Sequence, residues 1–211
     1  KFLKDRKRIT VDEELMKNLE LRKNRIIELL RDREDKEEIA QKIIDRCLFI
    51  RFLEDRAGKN TLKNILRNSR NLDELLELFD FYDDSLNGDI FKKGDIPRDI
   101  NIEIIQELDY IFGDLYTLPN LQRTLIPYSF ENIPIILISN IYEKFLSGKK
   151  KKSEGIVFTP ENVAEYIINK IMKDNSIASK IEEGKIRILD PACGSGVFLV
   201  KFLEKIIKRK E

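Results

Sequence analysis

The stretch Asp190-Pro191-Ala192-Cys193-Gly194-Ser195-Gly196 stands between the apolar run Ile186-Arg187-Ile188-Leu189 and an apolar-periodic stretch from Val197 to Ile207. It reads as strand, glycine-rich turn and helix, an arrangement that cradles a nucleotide-type cofactor. A chain that leaves a buried strand and bends sharply into a helix needs glycine wherever a side chain would strike the turn or the ligand. Gly194 and Gly196 supply those positions. No Gly-Lys-Ser/Thr follows, so this is not a Walker loop, and Leu199 stands where a Gly-x-Gly-x-x-Gly dinucleotide pattern needs its third glycine. Phosphate is therefore not the favoured guest.

The segment resembles motif I of S-adenosylmethionine-dependent methyltransferases, most closely the Asp-Pro-Ala-Cys-Gly-Ser-Gly form of DNA adenine-N6 methylases. The resemblance implies a Rossmann-like α/β domain in which Asp190, at the end of the first strand, faces the cofactor's ammonium group. An anionic side chain beside a fixed cation has an evident Coulombic use. Backbone groups of Ala192, Cys193, Gly194, Ser195 and Gly196 would line the methionine and ribose, with Pro191 and Phe198 counted among the cofactor-binding residues.

A second match lies upstream. Gly155-Ile156-Val157-Phe158-Thr159-Pro160-Glu161-Asn162-Val163-Ala164 is similar to motif X of the same family. Locally it predicts a helix start, with Thr159 as N-cap, Pro160 at the first helical position, and Val163, Ala164, Ile167, Ile168 and Ile171 as an apolar stripe. The resemblance makes Phe158 and Thr159 contacts to the cofactor's methionine end, and Pro160 the residue that holds the turn. Motif X immediately before motif I is the order of amino-methyltransferases acting on DNA. RNA guanine methylases with a similar glycine loop lack it.

Methylation of an exocyclic amine in this family uses an Asn/Asp/Ser-Pro-Pro-Tyr/Phe motif, whose aromatic residue stacks on a flipped base. No Pro-Pro occurs in these residues, and no acidic ribose-binding residue follows the glycine loop at the expected spacing. The expectation is a piece of a larger enzyme, with no catalytic residue of its own and inactive alone. Lys1 in place of an initiating methionine fits that expectation.

Composition narrows the classes. The 39 basic residues nearly cancel the 38 acidic ones, leaving a formal charge of +1, so no global nucleic-acid footprint exists. The absence of histidine removes Ser-His-Asp and His-metal chemistry. The two cysteines, Cys47 and Cys193, have no metal-ligand or disulfide spacing, and no metal site is expected. A cytoplasmic protein without a membrane span is the natural reading.

The remainder reads as mainly α. Residues 12–31 predict a long, mostly exposed helix and residues 36–56 a more strongly apolar one. Shorter helices are expected over 60–68, 71–82, 101–112 and 135–146. The resulting domains are 1–146, a helical amino-terminal connector; 147–154, a lysine-rich linker; and 155–211, the start of the methyltransferase domain. Asp45-Arg46-Cys47-Leu48-Phe49-Ile50-Arg51-Phe52-Leu53-Glu54-Asp55-Arg56, then Leu86-Asn87-Gly88-Asp89-Ile90-Phe91 and Ile141-Tyr142-Glu143-Lys144-Phe145-Leu146, resemble the helical region of type IIG restriction-modification enzymes. That resemblance implies double-stranded DNA as partner, with a specificity subunit or a fused nuclease as further partners. Glu34-Asp35-Lys36 has the letters of a nuclease metal motif, but it lies at a helix junction and reads as a solvated charge run. Lys149, Lys150, Lys151 and Lys152 are either plain linker or a DNA phosphate contact. An RNA-modifying methyltransferase and a noncatalytic helical interaction module remain the alternatives.

Overall fold

The computed structural model describes residues 11–69, 71–86, 89–113, 130–135, 137, 138, 141, 159–194 and 196–210. The chain separates into two compact units, Lys1–Ile133 and Pro134–Glu211. The described residues of the first comprise helices α1 (Val11–Leu29), α2 (Lys36–Arg56), α3 (Thr61–Asn68), α4 (Asp73–Ser85) and α5 (Glu103–Phe112), with 3-10 turns at Asp89–Phe91 and Phe130–Asn132.

The first unit is organised around α2. This helix contains neither glycine nor proline, and its buried residues are not confined to one stripe. Ile39, Ala40, Ile43, Ile44, Cys47, Leu48, Ile50 and Phe52 are all buried, because α1, α3, α5 and both 3-10 turns pack around it. Each isoleucine, leucine or phenylalanine among them taken fully from water contributes about 1.5–3 kcal/mol. The helix stops at Ala57-Gly58-Lys59. Gly58 takes φ 65°, Lys59 N donates to Glu54 O at 2.8 Å and Gly58 N to Asp55 O at 3.4 Å. This paired closure satisfies two carbonyls that the helix leaves open.

α1 is largely exposed or half-buried, as its charge predicts, and among its described residues burial is confined to three. Leu15, Leu19 and Ile26 are fully buried in a narrow seam against α2 and α5. Arg22 fixes the α5 side, bonding Glu107 at 2.8 Å and lying 4.2 Å over the Tyr110 ring. α4 and α5 begin two residues later than the sequence predicts. Asn71 and Asn101 nevertheless act as caps, their side chains accepting from Asp73 N at 3.1 Å and Glu103 N at 2.8 Å.

The described part of the second unit holds α6 (Glu161–Ile171), α7 (Asn175–Glu182) and α8 (Val197–Lys210) around Ile168, Ile181 and Phe202. The sequence reading missed α7. Its signals are local: Asp174 accepts from Ser176 N at 2.7 Å at the start, and Gly184 at φ 68° closes the end.

Residues 186–189 do not form the expected strand, and there is no strand among the described residues. A strand exists only through ladder bonds to a neighbour, and no described segment offers one. Ile188 and Leu189 stay exposed, Leu189 at 86%. The fold of the described residues is thus all-helical, with the α/β part of the expectation absent from them.

Between α1 and α2, Lys23 donates to the Gln41 carbonyl and Gln41 donates to Asp45 at 2.7 Å. Burial raises the Asp45 carboxyl to about 6 from 3.8, against the opposing pull of the Gln41 hydrogen bond and the Lys23 charge. The folded chain therefore holds this proton more tightly than the unfolded one. The stability Asp45 contributes is complete below about pH 4 and is lost as pH rises through about 6. Asp45→Asn should remove this slope and stabilise the chain by about 1–2 kcal/mol at pH 7. Chemical denaturation from pH 4 to 8 checks it, and an unaltered slope would place the proton elsewhere.

Candidate functional site

The two motif-bearing helices of the second unit pack in register. Lys201 on α8 meets Glu161 on α6 at 2.5 Å, and one turn further along each helix Lys205 meets Glu165 at 3.4 Å. Residue numbers rise together in both pairs, so the helices run parallel, and their amino ends lie at the same end of the unit. Those ends carry Thr159-Pro160 and the 190–196 loop. Buried Ala164 and Ile168 mark the inward face of α6, and Arg209 pairs with Glu182 at 3.2 Å to tie α8 to α7.

The cap of α6 differs by one residue from the sequence reading. Pro160 is itself the N-cap, with ψ 141°, and its carbonyl accepts from Val163 N at 3.0 Å and Ala164 N at 3.1 Å. Thr159 lies outside the helix, half-buried. The fixed φ of proline suits either position, so composition alone does not separate them. The predicted stripe also divides. Ala164 and Ile168 are buried, whereas Val163, Ile167 and Ile171 are 40–43% exposed. α8 repeats this with Leu199, Leu203 and Ile207, again exposed and four residues apart.

The loop is an open turn. Asp190 folds one carboxylate oxygen back to accept from Ala192 N at 3.2 Å, and Gly196 N donates to Cys193 O at 2.7 Å. Gly194 at φ 52° and Gly196 at φ 81° occupy the left-handed region, and a Cβ built on Gly196 meets nothing within 4 Å. Pro191, Ala192, Cys193 and Gly194 are exposed. Phe198 packs down against the Ile168, Ile181 and Phe202 core. Phe158, Ser195, Lys149, Lys150, Lys151 and Lys152 lie outside the described residues. No group of three or more Cys, Asp or Glu side chains among the described residues could hold a metal.

Sequence reasoning missed the buried charges of α2. Arg46, Arg51 and Glu54 are at most 2% exposed. Arg46 donates to Ile90 O at 2.7 Å and Lys92 O at 2.9 Å, with its guanidinium 5.4 Å from the Phe79 ring. Glu54 accepts from Leu62 N at 2.9 Å, satisfying an amide at the start of α3. The available signal was the spacing of Arg46, Arg51 and Arg56, five residues apart. That spacing carries arginine around a helix apolar on several sides. Cys47 is buried, and burial pushes its thiol far above the ordinary range, so it is chemically quiet.

Residues 135–211, which lie in the second unit, match the family described as N-6 DNA Methylase. The chain is also similar to individual restriction-modification proteins. A type II restriction enzyme and methyltransferase of Methanocaldococcus jannaschii is 26% identical over 84% of this chain and 21% of its own length. A type II methyltransferase of a Vibrio species is 32% identical over 34% of this chain and 15% of its length. A type I restriction enzyme methylase subunit of M. jannaschii is 31% identical over 47% of this chain and 16% of its length. The chain thus spans about a fifth or less of these relatives. No solved structure matches it.

The turn makes its own prediction. Gly196→Ala meets open space yet forces an L-residue into left-handed backbone, which costs about 1–2 kcal/mol, and Gly196→Asn should cost less. Denaturation midpoints of the two variants test the ranking. Equal midpoints, both matching wild type, would mean the turn relaxes freely.

Proposed function

We propose that the full-length protein carrying these residues transfers a methyl group from S-adenosylmethionine to adenine N6 in double-stranded DNA. Its setting would be a restriction-modification or phage-defence system in the cytoplasm. The observation that carries this reading is the parallel register of α6 and α8, which sets Thr159-Pro160 and the 190–196 loop at one end of the segment that matches N-6 DNA methylases.

The residues fit the cofactor. Gly196 leaves open space where a side chain would stand, Gly194 takes left-handed backbone at an exposed position, and the amino end of α8 favours electron-rich groups. Asp190 spends one lone pair on Ala192 N and retains carboxylate capacity for an ammonium group. Phe158 and Thr159 would close the other wall, Pro160 would hold the turn, and Pro191, Ala192, Cys193 and Ser195 would line the methionine and ribose. Phe198 would brace the loop from the core. When bound, the cofactor supplies a methyl group on cationic sulfur. The protein's part is alignment and exclusion of water.

The outer apolar rows of α6 and α8 support an α/β layer in the complete domain. A helix with one apolar row on a neighbouring helix and another facing outward is built to lie between a helix and a sheet. In this reading the connector ends at Ile133 and the methyltransferase unit opens at Pro134, earlier than the 1–146 connector, 147–154 linker and 155–211 domain that the sequence suggests. Acceptor-base chemistry then comes from a Pro-Pro motif beyond Glu211, and residues 1–211 alone are inactive. The relative whose name joins restriction and methylation supports a nuclease in the same chain, and the type I relative supports a specificity subunit as partner.

Two measurements test the reading. Calorimetric titration of the full-length protein should show S-adenosylmethionine binding, weakened at least tenfold by Gly194→Ala and by Asp190→Asn with circular dichroism unchanged. Mass analysis of treated duplex DNA should show N6-methyladenine. Methylation of structured RNA alone, or wild-type affinity in both variants, would sink it. Replacing Lys149, Lys150, Lys151 and Lys152 with serine should flatten the salt dependence of DNA affinity, and an unchanged slope would make the run plain linker.

A further inference from the structure

The carboxyl end of α2 grips the last described segment of the first unit. Phe130 N donates to Asp55 Oδ2 at 3.1 Å, and Arg56 donates through Nη1 to Phe130 O at 2.8 Å and through Nη2 to Ile133 O at 2.6 Å. Asp55 is itself oriented by Arg51, which bonds both carboxylate oxygens, and Lys63 stands 3.6 Å from it. Arg51 lies 5.3 Å from the Phe130 ring, and Phe130 is fully buried beside Phe112. Within the turn, Ile133 N donates to Phe130 O at a long 3.3 Å. A three-residue 3-10 turn has almost nothing of its own to hold it. Its position is set by charge-assisted bonds from a helix more than seventy residues earlier.

The placement of this grip is informative. The second unit begins at Pro134 and the methylase match at residue 135, immediately after the gripped carbonyl of Ile133. A connector serving only as a spacer needs no ionic anchor at its exit. We propose that Asp55 and Arg56, oriented by Arg51, are positioning residues that fix the point where the chain enters the methylase unit, so that the helical unit supports methyl transfer without touching cofactor or base. This inference rests on the methyltransferase reading for its catalytic consequence and on the geometry alone for its structural one. Arg51 and Asp55 are largely buried, so losing one partner leaves polar groups that water replaces poorly.

Amide exchange and kinetics of the full-length protein test the two parts separately. In Arg56→Gln, exchange across residues 130–138 should rise at least tenfold while the α8 core exchanges as before. Methyl-transfer kcat should fall several-fold with the cofactor Kd unchanged within twofold. Arg56→Lys, which keeps the charge and one donor direction, should fall between the two and serves where the glutamine variant does not fold. Unchanged exchange at 130–138 in the lysine or glutamine variant overturns the anchor. Raised exchange with unaltered kcat overturns the positioning role. A wild-type protein that binds no cofactor and methylates nothing would instead refute the methyltransferase reading and leave the exchange result standing.

Discussion

The first unit depends on arginine side chains buried in the central turns of a helix that its neighbours enclose. Arg46 and Arg51 are almost inaccessible, and a guanidinium in that setting must find acceptors within the protein. Arg46 takes main-chain carbonyls at Ile90 and Lys92, while Arg51 takes the carboxylate of Asp55. Arg56, at the helix end, takes the carbonyls of Phe130 and Ile133. Irregular segments distant in sequence are thereby recruited to α2. Their carbonyls, which no helix satisfies, and the buried cations of Arg46 and Arg51, which solvent does not reach, answer the same need, while Arg56 reaches its carbonyls from an exposed position. The apolar residues of α2 supply most of the burial, and the arginines decide which loops lie where.

Much of this was legible beforehand, and the exceptions have physical causes. The bounds of α2 follow from an unbroken run without glycine or proline that ends at Gly58, all local information. The glycine turn at 194 and 196 was equally local, because left-handed backbone has a residue preference that can be read directly. The buried charges were not legible, since arginine is ordinarily a surface residue and only an acceptor such as Ile90 O, 44 positions from Arg46, makes it an interior one. The exposure of α1 was legible from its charge, while the seam of Leu15, Leu19 and Ile26 has its meaning only where α2 and α5 are there to receive it.

In the second unit the motifs were visible and their register was not. Thr-Pro and the glycine loop are compact patterns, but nothing in either fixes the helices as parallel. That came from glutamates at 161 and 165 meeting lysines at 201 and 205, pairs forty residues apart that carry no local signal. The strand at 186–189 failed for the opposite reason. Its apolar pattern was real, yet a strand is a relation between segments and the described residues supply only one of them. α7 was overlooked because a helix of eight residues, with Ile181 alone fully inside, offers too few turns for periodicity to register.

The uncovered apolar rows of α6 and α8, with Ile188 and Leu189 beside the loop, bear on how the chain behaves as a colloid. Its formal charge at neutral pH is only +1 and its isoelectric point is near 7.8, so copies meet with little net repulsion in ordinary buffers. Attraction between exposed aliphatic surfaces then goes nearly unopposed, and added salt screens what repulsion remains. Solubility of these 211 residues should therefore be governed by distance from the isoelectric point, with more acidic solutions dispersing the chains that mildly alkaline ones let associate.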